Sequence, residues 1–184
     1  ILSLVWGSSY ILIKKSLIGL TPLQVGSLRT ILSTLLLLII GYSSIKTIPK
    51  NKWKWIAITG YVSFIPPFLF AYAQTEIDSA LAAILNSLTP LATLLIGIGF
   101  YRFKIDSKQI SGVILGLIGS VLLMYQGSII NPDQNIVYVI FIILASILYA
   151  LQVNLLKVYL QDVSAVAITV GNFIFIFPFA VVIF

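Results

Sequence analysis

The sequence predicts an all-α polytopic membrane protein, and three observations carry that prediction. Apolar stretches of about 18 to 25 residues recur seven times, each long enough to cross a hydrocarbon layer of roughly 30 Å as a helix. The chain is 60% hydrophobic and 9% charged, with a mean hydropathy of +1.12, more apolar surface than one soluble core of 184 residues can hide. The few charges punctuate the apolar stretches and build no surface of their own.

Composition also excludes function classes. With no cysteine and no histidine there is no disulfide, no thiolate or imidazole metal site, no Cys/His catalytic pair and no ordinary histidine switch, so neither a metal nor a cofactor is expected. The net charge of +6 does not predict a nucleic-acid partner, because no basic, aromatic-laced surface exists to track phosphates. The expected partners are a small-molecule substrate and the lipid bilayer, with a homodimer as a further expectation. The first apolar run has neither an initiator Met nor a basic region before it, so it lacks the layout of a signal peptide, and the chain is expected to start inside a helix.

Segment one, from Ile1 to about Leu20, carries Trp6-Gly7-Ser8-Ser9-Tyr10, then Lys14 and Lys15. Neighbouring residues of a helix point ~100° apart. Lys14 shares a stripe with Tyr10 and Trp6 and is expected to face the bundle; snorkelling to the interface and plain aromatic packing are the structural alternatives. Segment two opens at Pro22, a good first-turn residue, and runs to about Tyr42 with Arg29 two turns in. An arginine there costs about 3 kcal/mol or more against lipid, so it should face protein, water or an anion, which makes it the sharpest single functional flag. Its structural alternative is a bond to carbonyls or to a carboxylate.

A polar, basic loop over residues 43–54 leads to segment three, Trp53 to about Gln74, where Trp53 and Trp55 suit the headgroup belt. Pro66-Pro67 should bend or break this helix, with Phe70, Tyr72 and Gln74 beyond the bend. Segment four, Ser79 to Phe100, has no charge at all. Its Ala82, Asn86, Thr89, Thr93 and Gly97 recur every three to four residues and want a protein neighbour or a water-filled cavity, and Pro90 predicts a kink near Asn86. Mid-membrane breaks of this kind build transporter substrate sites; the alternative is that Asn86 and the threonines only bond neighbouring helices. Segment five, Gln109 to about Gln126, bears Gly112, Gly116 and Gly119, a ridge expected to let another helix approach closely. After a polar linker over 127–135 with Pro132-Asp133, segment six runs from Ile136 to about Leu160 with Tyr149, Gln152, Asn154 and Lys157. Segment seven opens near Ser164, carries Asn172 and Pro178, and is expected to be cut inside a membrane span at Phe184.

Eight of the eleven basic residues fall at the junctions after segments two, four and six, whereas Glu76, Asp78 and Asp133 lie at the junctions after three and five. The positive-inside rule then makes the first set cytoplasmic, so segment one enters from the cytoplasm and the Thr21-Pro22 turn lies outside. Segments six and seven repeat features of one and two: Tyr149, Gln152, Asn154 and Lys157 parallel Tyr10 to Lys15, and Asp162-Val163-Ser164 stands where Thr21-Pro22 stood. Five spans precede the second copy, so it enters from the opposite side, the inverted-topology repeat of secondary transporters. The division expected is 1–127 for a first five-helix repeat and 136–184 for the start of a second.

In Trp6-Gly7-Ser8-Ser9-Tyr10 with Lys14, the Pro22 to Arg29 spacing, the Ala-rich start of segment four up to Pro90, and Ser111-Gly112-Val113-Ile114-Leu115-Gly116-Leu117-Ile118-Gly119, the chain resembles the EamA-type transporters of the drug/metabolite transporter superfamily. The resemblance implies two inverted five-helix repeats, of whose ten helices about seven are present here, in the inner membrane with both ends cytoplasmic. It implies export of amino acids, metabolites or drugs, with Trp6, Tyr10, Arg29, Asn86 and Pro90 on or near the central pathway. One position departs: where the family usually has Glu just after segment four, this chain has Tyr101.

The expected function is therefore alternating-access export of a small metabolite, an amino acid or a drug-like amphiphile, without chemistry. Trp6, Tyr10, Tyr72 and Tyr149 would stack on the substrate, Arg29 or Lys14 would hold a carboxylate, Asn86 would line the path, and Pro66, Pro67 and Pro90 would bend the moving helices. No carboxylate lies within a span to couple protons. Two other readings stand beside this one. A nucleotide-sugar or phosphate-sugar exchanger of the same fold needs several cations at one depth, and a structural membrane subunit needs none.

Overall fold

Helix ends in this chain are set by hydroxyl caps, prolines and short polar turns, and among the described residues they bound eight α-helices. The computed structural model describes the backbone of residues 2–104, 106–130 and 135–184, with side chains for all of these except 2, 3, 123, 124, 126–130 and 136. α1 spans Leu2–Ser16 and stops a turn earlier than its sequence predicts, because Leu17 to Leu20 bond back in a tight turn (Ile18 N–H to the Lys15 carbonyl, 3.2 Å) that delivers the chain to Thr21. Thr21 caps α2 (Pro22–Gly41) reciprocally: its hydroxyl accepts from the Gln24 N–H at 3.3 Å while Gln24 Oε1 accepts from the Thr21 N–H at 3.0 Å. Two short 3₁₀ turns, Tyr42–Thr47 and Lys50–Lys52, then lead into α3 (Trp53–Glu76).

α3 runs unbroken through Pro66 and Pro67. Segment four behaves oppositely. In place of one kinked helix it forms α4 (Ser79–Asn86) and α5 (Thr89–Gly99), with Ser87 and Leu88 bonded three residues back in the gap. Pro90 thereby sits in the first turn of α5, where its missing N–H is no loss. α6 covers Ser107–Ile130, beyond the expected end of segment five; Pro132 and Asp133 of the expected linker lie outside the described residues. A 3₁₀ turn, Ile136–Tyr138, opens α7 (Val139–Tyr159), and Ser164 caps α8 (Ala165–Ile183) by accepting from the Ala167 N–H at 3.3 Å.

Among the described residues, five stretches are long and apolar enough to cross a membrane: 22–47, 50–76, 79–99, 139–159 and 165–183, with Ser107–Leu122 as a shorter apolar stretch. α3 is the hub, packed on α7, α8 and α2. Where it meets α8 the backbones nearly touch: a Cβ on Gly60 would lie 3.1 Å from the Asn172 carbonyl oxygen, and one on Gly171 would lie 2.7 Å from Ile56. One apolar cluster joins α3, α4 and α7 through Phe70, Ile77, Leu81 and Ile142. Another closes the opposite end through Ile48, Ile56, Leu160 and Val163. Among the described residues no helix comes close to the glycine ridge of α6, where a Cβ on Gly112, Gly116 or Gly119 would meet nothing within 4 Å.

Candidate functional site

A cavity of about 290 Å³ lies between α2 and α3 on one side and α7 and α8 on the other. Helical spacing dictates which side chains reach it. α2 contributes Arg29, Thr30 and Ser33; α3 contributes Ser63 and Pro67, one turn apart; α7 contributes Tyr149, Gln152 and Leu156; α8 contributes Ile168, Asn172 and Ile176 at successive turns, with Thr169 and Phe173 beside them. The wall mixes hydroxyls and amides with apolar side chains such as Leu156, Ile168, Phe173 and Ile176. Arg29 is its one charge among the described lining residues.

Arg29 is exposed to this space. Its guanidinium donates to the Ser9 hydroxyl at 3.5 Å, the limit of a hydrogen bond, and it has no carboxylate partner among the described residues. Next to it, Tyr10 of α1 and Tyr149 of α7 approach Phe70 of α3 from either side, with ring centroids 5.6 and 6.2 Å from it. The Tyr10 hydroxyl also meets the Asn86 side chain at the α4 end, and Asn86 Oδ1 accepts from the Thr89 hydroxyl across the gap at 3.1 Å. On the opposite wall Asn172 is held firmly. In the amide orientation that pairs donors with acceptors, its nitrogen donates to Thr59 Oγ1 at 3.0 Å and to the Ile56 carbonyl at 2.8 Å.

Of the residues singled out from the sequence, Arg29, Tyr149 and Pro67 line the cavity, and Tyr10 and Asn86 join Tyr149 through Phe70 without lining it. Lys14, Tyr72, Trp6, Pro66 and Pro90 lie elsewhere. Lys14 does face the bundle, but its ammonium donates to the carbonyls of Gln74 at 2.7 Å and Ile77 at 3.1 Å, tying α1 to the C-terminal end of α3. Tyr72 joins Phe141 (6.3 Å) and Tyr138 in a separate aromatic group. Trp6 is 65% exposed. Pro66 is buried, Pro67 lines the cavity, and Pro90 lines a second cavity on the other side of α7. Phe70, Ser33, Ser63 and Thr169 were not singled out as candidates. The three or four residue spacing of Thr30, Ser33 and Thr34 on the Arg29 helix was the available signal for the hydroxyl wall.

The EamA-like transporter family model matches residues 1–125, from α1 into α6. The chain belongs to the EamA-like transporter family. Protein PagO of Salmonella typhimurium is 26% identical over 120 residues, 64% of this chain and 40% of that protein. An uncharacterized transporter in the trpA 3' region of Buchnera aphidicola subsp. Schlechtendalia chinensis is 23% identical over 155 residues, 82% of this chain and 51% of that protein. The chain thus spans about half the length of the curated relatives it matches. No solved structure matches it. Family and apolar helices together make this EamA-like protein an integral, multi-pass membrane protein of a transporter family, not of an enzyme family.

Proposed function

We propose that this EamA-like protein moves a small, carboxylate-bearing metabolite, an amino acid or a drug-like amphiphile, across the inner membrane by alternating access. The observation that carries the reading is Arg29: a guanidinium in a polar cavity at membrane depth, held only by a long contact to Ser9 and without a carboxylate of its own. A fixed fork of donors suits a substrate carboxylate, while the Tyr10–Phe70–Tyr149 aromatics offer faces for its apolar part.

The inverted repeat is supported by position. Asn172 follows the cap Ser164 by the same eight residues by which Arg29 follows the cap Thr21. Continuing along both helices, Thr30 pairs with Phe173 and Ser33 with Ile176, and all six line the cavity. A cavity built from equivalent positions of two copies is what a transporter site between repeats requires. The exchanger of phosphorylated sugars is less well supported, because Lys14 is committed to carbonyls and Arg29 alone faces the space. The described carboxylates Glu76, Asp78, Asp106 and Asp162 stand at helix ends or in turns, so this part of the protein offers none for proton coupling inside a span.

The test is transport by the full-length protein in proteoliposomes loaded with a mixed pool of amino acids and organic acids, comparing wild type with Arg29→Lys and Arg29→Gln at equal abundance. Losing a charge-assisted contact worth about 1.5–3 kcal/mol lowers transport of the carboxylate substrate roughly 10- to 100-fold in Arg29→Gln, with Arg29→Lys between. Equal transport by all three removes Arg29 from the site. The absence of any transported solute favours the structural subunit.

A further inference from the structure

We propose that the second cavity, on the other side of α7, holds one anionic phospholipid. Its phosphate sits between Lys104 and Lys157, and an acyl chain lies along the Gly112–Gly116 face of α6. This cavity encloses about 680 Å³ between α5, α6 and α7.

Its mouth is built by a strained turn. Arg102 adopts φ 53, the left-handed region that non-glycine residues avoid, and this lets the Phe103 N–H reach back to the Gly97 carbonyl at 3.0 Å. The turn folds the Phe103 ring against Gly97, where an added Cβ would lie 2.9 Å from it, and brings Lys104 to the rim. Lys157, in the last turn of α7, places its ammonium 4.2 Å from the centre of that ring. A ring partner holds a cation without neutralising it. No carboxylate lines the cavity among its described residues, so two positive charges face the same opening.

Inside, the amide and hydroxyls of Asn154, Thr93 and Ser87 are already used. Asn154 donates to the carbonyls of Thr93 (3.0 Å) and Ala150 (2.8 Å), the Thr93 hydroxyl donates to the Thr89 carbonyl at 2.8 Å, and the Ser87 and Ser120 hydroxyls bond each other. What remains is an apolar trough floored by Gly112 and Gly116, where a Cβ would meet open space. From Gly97, against which Phe103 folds, down α5 to Pro90 the trough extends roughly 10 Å at 1.5 Å per residue, about a third of a bilayer's hydrocarbon thickness of about 30 Å. A free anion would need the lysines and not the trough, and a neutral tail the trough and not the lysines. An acidic phospholipid uses both, and basic pockets between membrane helices are where such headgroups bind.

The experiment is native mass spectrometry of the full-length protein released from bilayers of equal phosphatidylglycerol and phosphatidylcholine. One phosphatidylglycerol is expected to stay bound in preference to phosphatidylcholine. Lys104→Gln/Lys157→Gln should lower its retention at least tenfold, and Gly116→Leu, which fills the trough, should lower it too. Both variants are checked for wild-type melting temperature, and Gly112→Leu replaces Gly116→Leu if the latter melts early. Equal retention of the two lipids overturns the proposal, as does undiminished retention in the lysine or trough variants. So does displacement of the lipid by millimolar glycerol phosphate, which would mark a free-anion site, and a wild type that keeps no lipid, which would mean that protein covers the trough.

Discussion

Arg29 and Lys14 are both cations within apolar helical segments, and the structure gives them opposite employment. Lys14 answers the unpaired carbonyls where α3 ends, so Lys14→Ala should destabilise the protein by about 1–3 kcal/mol, read as an earlier melting transition in detergent. The sequence could announce that these charges avoid lipid, yet only the fold decides whether carbonyls lie within reach. Among small residues the same division holds. Gly60→Ala should cost about 1–3 kcal/mol, because its new methyl lies 3.1 Å from the α8 backbone, which cannot move aside as a side chain can. Gly119→Ala, with nothing within 4 Å, should leave the melting temperature unchanged or slightly raised. Small-residue spacing in the sequence pointed to the second glycine and missed the first, since the approach at Gly60 is set by α8, more than a hundred residues away.

Between the two proline sites, helix continuity depends on what surrounds the missing N–H groups. Pro66 and Pro67 lie in α3, which continues as one helix through the defect with α2, α7 and α8 packed around it, whereas at Pro90 the gap has its own polar closure in Asn86, Thr89, Ser87 and Ser120. Reading Pro90 as a bend in one helix located the break to within a few residues; the second helix end needed the side chains that stabilise it. Pro90→Ala restores an N–H that can reach the Asn86 carbonyl, so α4 and α5 should fuse more often. The expected readout is slower hydrogen exchange at residues 87–90, together with reduced transport. At the other end, Lys52 ties the α7–α8 turn through Asp162 Oδ1 (2.7 Å) and the Tyr159 carbonyl (2.8 Å), while Trp55 stacks on Tyr159 at 3.4 Å. The Lys52 hydrogen bond holds the Asp162 carboxyl below its ordinary 3.8. A depressed carboxylate stabilises the fold above its unfolded value and loses that contribution as pH falls through the lowered one. Protection of the amides around residues 160–164, taken relative to their intrinsic exchange rate at each pH, should therefore be flat near neutral pH and fall below about pH 4, and Asp162→Asn should abolish that acid limb.

Across the whole molecule, the apolar runs carried most of the architecture, because bilayer thickness and backbone satisfaction leave a spanning chain few options. The cavity was legible only in part. Tyr10, Arg29, Asn86 and Tyr149 each break an apolar pattern and so stand out, while Ser63 and Thr169 look like ordinary helix hydroxyls until α3 and α8 are brought face to face. Lys14, Tyr72 and Trp6 broke the pattern equally and were drawn to other places. The central claim is that the space between the α2–α3 and α7–α8 pairs is the aqueous path through the membrane. This chain has no cysteine, so single cysteines can be placed in it once any cysteine in the rest of the full-length protein has been replaced by serine. With Ser33→Cys, Ser63→Cys and Thr169→Cys lining the cavity, and Ser146→Cys buried on α7 away from it, the most direct measurement is labelling by a membrane-impermeant thiol reagent applied separately to each side. The three cavity cysteines should react from both sides, with transported solute slowing the reaction, while Ser146→Cys stays unlabelled. Protection of all three from both sides, or labelling no faster than at Ser146→Cys, would contradict the account.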